Sequence, residues 1–130
     1  IRALADYAAA EARGFGILQN DELVCACWYW YGQHYARNRG YWPHEDREAK
    51  LVQITTAHSA RGKGLARSLI AASSNRMRDE GFRQLFARVW FSHGESERAF
   101  KAAGWQRIAT VITVQPTWWK RRVRLQLPRR

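Results

Sequence analysis

A chain of 130 residues, 46% hydrophobic and 25% charged, has the composition of one packed globular domain and too little length for two separate cores. Lys+Arg 22 against Asp+Glu 11 leaves a net charge of +11, so the surface attracts anions, be they nucleic acid, a phosphorylated small molecule or acidic lipid. Two cysteines, Cys25 and Cys27, are too few for a disulfide framework or a structural zinc site, and the longest apolar run falls well short of the roughly 20 residues that span a bilayer, so a cytoplasmic protein without a metal is expected.

The Ala- and Leu-rich opening Ile1–Arg13 predicts a helix closed by Gly14. Phe15–Leu18 reads as a short strand and Gln19-Asn20-Asp21 as a turn. Glu22–Tyr31 is apolar on both faces, the pattern of an interior strand. Gly32–Arg47 mixes Gly, Pro, His, Arg and aromatics without a period and reads as a long loop, of the kind that usually carries function. Lys50–Ala57 follows as a strand, His58–Gly64 as a turn, and Leu65–Glu80 as a helix capped by Gly81. Leu85–Phe91 alternates as a strand, and Ser96 is set to cap a short helix that runs to Ala103 and closes at Gly104. Ile108–Val114 and the alternation of Val123, Leu125 and Leu127 predict a terminal pair of strands. The order is mixed α/β.

Chemistry concentrates in Ala60-Arg61-Gly62-Lys63-Gly64-Leu65-Ala66, where a strand hands over to a helix. The first amides of a helix have no intrahelical partner, and with the helix dipole they form an anion site. Glycines let a phosphate come close to the backbone, while Arg61 and Lys63 add charge at the rim. The phosphate-loop pattern GxxxxGK[ST] is absent, and GxGxxG fails because position 67 is Arg67. A diphosphate cradle is the expectation.

Arg61-x-x-Gly64-x-Ala66 on a strand–turn–helix resembles the Q/R-x-x-G-x-G/A signature of the GCN5-related N-acetyltransferase (GNAT) family. The strand Leu85–Phe91, Ser96 and the stretch from Arg98 to Gly104-Trp105 resemble that family's second block, which ends in a Gly-aromatic pair. The likeness spans Lys50–Val114, half of the chain. It implies an α/β (α+β) fold with a mixed, mostly antiparallel twisted sheet, flanking helices and a central splayed strand pair. Residues 1–130 would form one such domain, which could lack the opening strand and helix of the full fold.

The resemblance further implies an N-acyltransferase, and first of all an N-acetyltransferase, using acetyl-CoA or another acyl-CoA and no metal. The amides of Arg61, Gly62, Lys63, Gly64, Leu65 and Ala66 would hold the diphosphate. The strand ending at Thr56 and His58 would pair with the pantetheine arm, and an amide near Thr55 or Thr56 would polarise the thioester carbonyl. Phe100 occupies the cofactor-side position where the family often has Tyr, so it has no proton to give. Glu48 is the candidate base, and His93, where the family commonly has Asn, is a candidate acid or base; Glu45, His44 and His58 are further base candidates. Partners would be an amine-bearing small molecule, a peptide or a sugar, and a homodimer is open to the chain. Trp118–Arg122 with Arg129 and Arg130 supports an alternative, a basic RNA- or partner-binding module that has kept the scaffold and lost catalysis. The aromatics around Tyr29–Trp42 suit either an acceptor wall or packing, and Cys25 and Cys27 read as buried thiols.

Overall fold

The computed structural model describes residues 7–39, 42–89, 94–114 and 123–128, with 94–95, 109–114 and 123–128 described by their backbone alone. Three strands, β1 (Ala12–Gln19), β2 (Glu22–Tyr31) and β3 (Glu48–Thr56), run antiparallel, and β4 (Gln84–Ala87) joins β3 in parallel, giving the order β1-β2-β3-β4. Helices α1 (Gly32–Arg39), α2 (Leu65–Asp79) and α3 (Gly94–Ala102) are interspersed, and β5 (Ala109–Val114) pairs with β6 (Val123–Pro128) as an antiparallel hairpin. Among the described residues no helix is long and apolar enough to cross a membrane.

The opening departs from expectation. Arg13 and Gly14 lie in β1 rather than in and after a helix, paired with Tyr29 and Trp28. Gly14 is a cross-strand accommodation and no helix stop: a Cβ there would sit 2.7 Å from the Trp28 ring, and one on Gly16 would sit 2.5 Å from Leu23 Cδ1. Both glycines make room for large neighbours on β2, and that pairing overrides the helix propensity of the preceding alanines. Asn20 and Asp21, with φ of 52° and 65°, close the hairpin as a two-residue turn.

β2 is interior, as its two apolar faces required. Cys25, Cys27 and Tyr29 are fully buried in the main core with Leu51, Leu69, Ile70 and Met77. On the other face the Trp30 indole donates to the Tyr7 carbonyl (2.9 Å) and meets His34 edge-on at 4.3 Å. The predicted loop Gly32–Arg47 begins instead as α1. Eight residues without an apolar stripe hold no helix in isolation. Here Glu11 Oε1 accepts the His34 amide (3.1 Å), and Tyr35 is buried with its hydroxyl donating to the Trp42 carbonyl (2.5 Å). Those anchors come from outside the helix, so a local reading misses them.

α2 and α3 end alike. Gly81 and Phe82 donate to Arg78 (2.9 Å) and Met77 (3.1 Å), and Gly104 and Trp105 donate to Lys101 (3.0 Å) and Phe100 (2.9 Å), the paired bonds of a Schellman cap. Ser96 lies inside α3 instead of capping it. Tyr29 and Ser73 share a 2.8 Å hydroxyl bond, and the Trp105 indole donates to Ser74 (3.1 Å), tying β2 and the end of α3 to α2. β4 is shorter than the expected Leu85–Phe91: it stops at Ala87, residues 88–89 are not strand, and residues 90–93 lie outside the described ones.

Candidate functional site

The sheet forks between β3 and β4. Their pairing runs from Glu48 with Gln84 to Leu51 with Ala87 and stops, while β3 continues to Thr56 bonded only to β2 among the described strands. At the same place the β2 register passes from Tyr29–Leu51 to Trp28–Gln53, so Val52 is an extra residue. Such a bulge bends a strand and raises its twist, which turns β3 away from β4. Beyond it, the Ala57 amide donates to the Val24 carbonyl (2.8 Å). With a period of two, the Thr55 and Gln53 amides also turn to β2, leaving those of Ile54 and Thr56 on the open edge. Of the two threonines expected to offer an amide there, only Thr56 does.

At the top of that edge the chain folds into a cradle. His58–Ala60 forms one 3-10 turn, with Ala60 bonded to the Ala57 carbonyl (2.9 Å) and Arg61 to the His58 carbonyl (3.3 Å). The first helical bond of α2 runs from Ser68 to Gly64 (3.1 Å). Between them, the amides of Gly62, Lys63, Gly64, Leu65, Ala66 and Arg67 have no acceptor among the described residues, and no side chain caps the helix at Gly64. Gly62 and Gly64 take φ of 78° and 74°, which side-chain-bearing residues resist, and a Cβ on either would meet nothing within 4 Å. The space beside both glycines is therefore open, and the backbone there can be approached closely. Arg61 and Lys63 are exposed beside it, and the first turn of α2 holds no acidic residue. Arg61 differs from expectation in one respect. Its amide is engaged and its Nε donates to the Thr56 carbonyl (3.4 Å), so its contribution is a side chain, and the run of donors begins at Gly62.

Of the other expected residues, His58 is exposed in the turn and Phe100 is buried in the core, its ring 4.8 Å from Trp105. Glu48 lies at the opposite end of β3 from Thr56, roughly 26 Å away at about 3.3 Å per residue. It is buried, and its Oε1 accepts the Glu45 amide at 2.6 Å. His44 stands close enough for Glu48 and Lys50 to act on its titration; burial lowers its pKa, Glu48 opposes that and Lys50 adds to it. Three of the base candidates, Glu45, His44 and Glu48, thus gather at the foot of the fork, while His58 stands apart at its mouth. His93 and the Trp118–Arg122 run lie outside the described residues, as do Arg129 and Arg130. The sequence reading did not single out Tyr35 and Phe86 as the two rings that enclose His44. Spacing along the chain gives no signal for them, because they come from α1 and β4. Cys27 and Tyr29 are each pushed up to about 12, chiefly by burial, which leaves the thiol protonated and inert at neutral pH.

The model of the Acetyltransferase (GNAT) family matches residues 2–105. No curated protein sequence matches the chain. Among solved structures it is similar to the Bacillus subtilis protein YycN, with 19% identity, a TM-score of 0.65 and coverage of 82% of this chain and 63% of that one. The chain thus spans less than two thirds of that relative's length. Aminoglycoside N-acetyltransferase AAC(6')-Iy in complex with CoA is similar at 18% identity and TM-score 0.64, covering 83% and 78%. The ribosomal-protein-S18-alanine N-acetyltransferase from Escherichia coli is similar at 16% identity and TM-score 0.66, covering 98% and 75%. At such identities these likenesses speak to the fold alone. Because the family match runs over most of the sequence and the architecture agrees with it, this chain belongs to the GNAT acetyltransferase family.

Proposed function

We propose that this domain is an acyl-CoA-dependent N-acyltransferase, in the simplest case an N-acetyltransferase, in which an amine attacks the acyl group directly while both substrates are bound. The observation that carries this reading is the run of six acceptor-free amides, Gly62 to Arg67, under open space at the mouth of the unpaired edge of β3. Acyl-CoA, when bound, supplies an acyl group activated as a thioester. The amides from Gly62 onward bind its diphosphate where a helix cap would otherwise stand, and Arg61 and Lys63 add charge. Thr56 and Ile54 offer main-chain groups to the pantetheine arm in the manner of an added strand, and one of those amides donates to the thioester oxygen. Phe100 lends apolar surface and no acid, which coenzyme A tolerates because a thiolate leaves readily near neutral pH. Glu48 stands at the far end of β3 from Thr56, so it takes the amine's proton through a relay of waters and not directly.

The acceptor is an amine on a small molecule, a peptide or a sugar. Among the similar structures, one is named for aminoglycosides and another for the alanine of a ribosomal protein, so sugar and peptide amines are both worth assaying. Coenzyme A at a hundredfold excess over its Kd stabilises by about 2.7 kcal/mol, read as a rise in Tm of roughly 10 °C. Gly64→Glu puts a bulky anion into the cradle and abolishes both that rise and the heat of binding in calorimetry. Undiminished binding by Gly64→Glu would overturn the site. If RNA rather than coenzyme A raises the Tm, with a steep salt dependence, the binding-module reading replaces this one.

A further inference from the structure

The peptide groups at the end of β3 alternate in direction. The Ala57 amide donates to the Val24 carbonyl (2.8 Å), so by the period of two the N–H and the C=O of Thr56 both point away from β2, onto the open edge. An arm that pairs there as an added strand uses both groups, giving an oxygen to the N–H and an N–H to the carbonyl. The carbonyl is already taken. Arg61, five residues further on and in extended backbone, reaches back across the turn, and its Nε donates to the Thr56 oxygen (3.4 Å).

Nothing else holds that guanidinium. Arg61 is exposed, and among the described residues its side chain has no carboxylate partner and no acceptor besides Thr56. The residue after it is Gly62, where the run of acceptor-free amides begins. A phosphate oxygen carries negative charge and accepts from a guanidinium in pairs, so it is a better partner than one neutral carbonyl. An anion on the Gly62–Arg67 amides and the Thr56 carbonyl thus compete for one side chain. While Arg61 rests on Thr56, a strand-like arm meets a cation where it needs an acceptor.

We propose that Arg61 is a specificity-determining residue for the acyl donor. With the cradle empty it blocks the Thr56 carbonyl, and a diphosphate in the cradle draws it away. The edge of β3 therefore accepts a pantetheine arm that carries a diphosphate and disfavours the same arm without one. This inference rests on the acyl-CoA reading above and deepens it. No covalent bond changes in the exchange: the guanidinium leaves a carbonyl for a phosphate, and the carbonyl gains the arm's N–H. By linkage the effect is reciprocal, so an anion in the cradle strengthens binding at the edge.

Arg61 is exposed, so replacing it leaves the core untouched. Inorganic pyrophosphate added to the parent shifts the Thr56 carbonyl 13C signal and the Arg61 Nε signal together in NMR; in Arg61→Ala it no longer moves the Thr56 carbonyl. S-acetylpantetheine, which has the arm and no phosphate, binds Arg61→Ala about threefold more tightly than the parent, read from the Thr56 amide shift. Acetyl-CoA binds the same variant about tenfold more weakly in calorimetry. A residue that merely supported the turn would weaken both ligands on removal. The inference is overturned if S-acetylpantetheine binds Arg61→Ala no more tightly than the parent, or if pyrophosphate leaves the parent's Thr56 carbonyl unmoved. Acetyl-CoA that fails to bind the parent, while pyrophosphate still moves Thr56, would strike the acyltransfer reading and leave the exchange at Arg61 standing.

Discussion

Glu48 and Glu45 hold each other at the foot of β3. The Glu48 amide donates to the Glu45 carbonyl (3.3 Å) while the Glu45 amide donates to the Glu48 carboxylate (2.6 Å), and Arg47 between them takes a left-handed φ of 67° to close the turn. A carboxylate clasped in this way is held in one orientation at the foot of the strand. His44 beside it bears on stability. Its folded-state pKa lies below the ordinary 6.5, so between those two values the unfolded chain binds more protons than the folded one. This group leaves stability unchanged above 6.5; stability then falls as pH drops below that value and levels once the folded imidazole is protonated too. The urea midpoint of the parent therefore declines more between about pH 7.5 and about pH 5 than that of His44→Phe. Equal declines would assign the acid sensitivity to other groups.

Among the elements, β1 shows how strand pairing overrules local preference. Its register sets Gly14 opposite Trp28 and Gly16 opposite Ala26, and each glycine leaves room for a large side chain of β2, the Trp28 ring over Gly14 and the Leu23 side chain over Gly16. Gly14→Val should cost about 1–3 kcal/mol, measured as a lower urea midpoint with an unchanged m value, because the indole has to leave its place over the strand. Gly14→Val with parental stability would mean that Trp28 moves aside freely. α1 follows the same logic from the other direction. Glu11 from the approach to β1 and the buried Tyr35 hold a helix that its own eight residues do not sustain. α2 needs no such help, since its stripe of Leu69, Ile70 and Met77, its uncapped head and its Gly81 end are all written within a few residues of one another.

At the scale of the molecule, a net charge of +11 surrounds a site proposed for a polyanion. Raising salt from about 0.05 to about 0.5 M shrinks the Debye length severalfold, so coenzyme A affinity in calorimetry drops while any apolar contribution persists. Affinity indifferent to salt would mean that the cradle works by its amides alone. The turn Arg61–Ala66, the helix behind it, the interior strand β2 and the terminal hairpin were all readable from the letters, because turns, caps and alternation depend on residues within about four positions of each other. The expected helix, whose residues 1–6 lie outside the described ones, gives way to β1 at Arg13, and the loop expected after Tyr31 begins as α1, for one reason: these conformations answer to Trp28, Leu23, Glu11 and the core, which are distant in sequence. The place where β3 parts from β4, and the enclosure of His44 by α1 and β4 next to Glu48, arise only when four segments meet in space. Local hydrogen bonding wrote the open amides of the Gly62–Arg67 turn into the chain; long-range packing made the fork and the enclosure of His44.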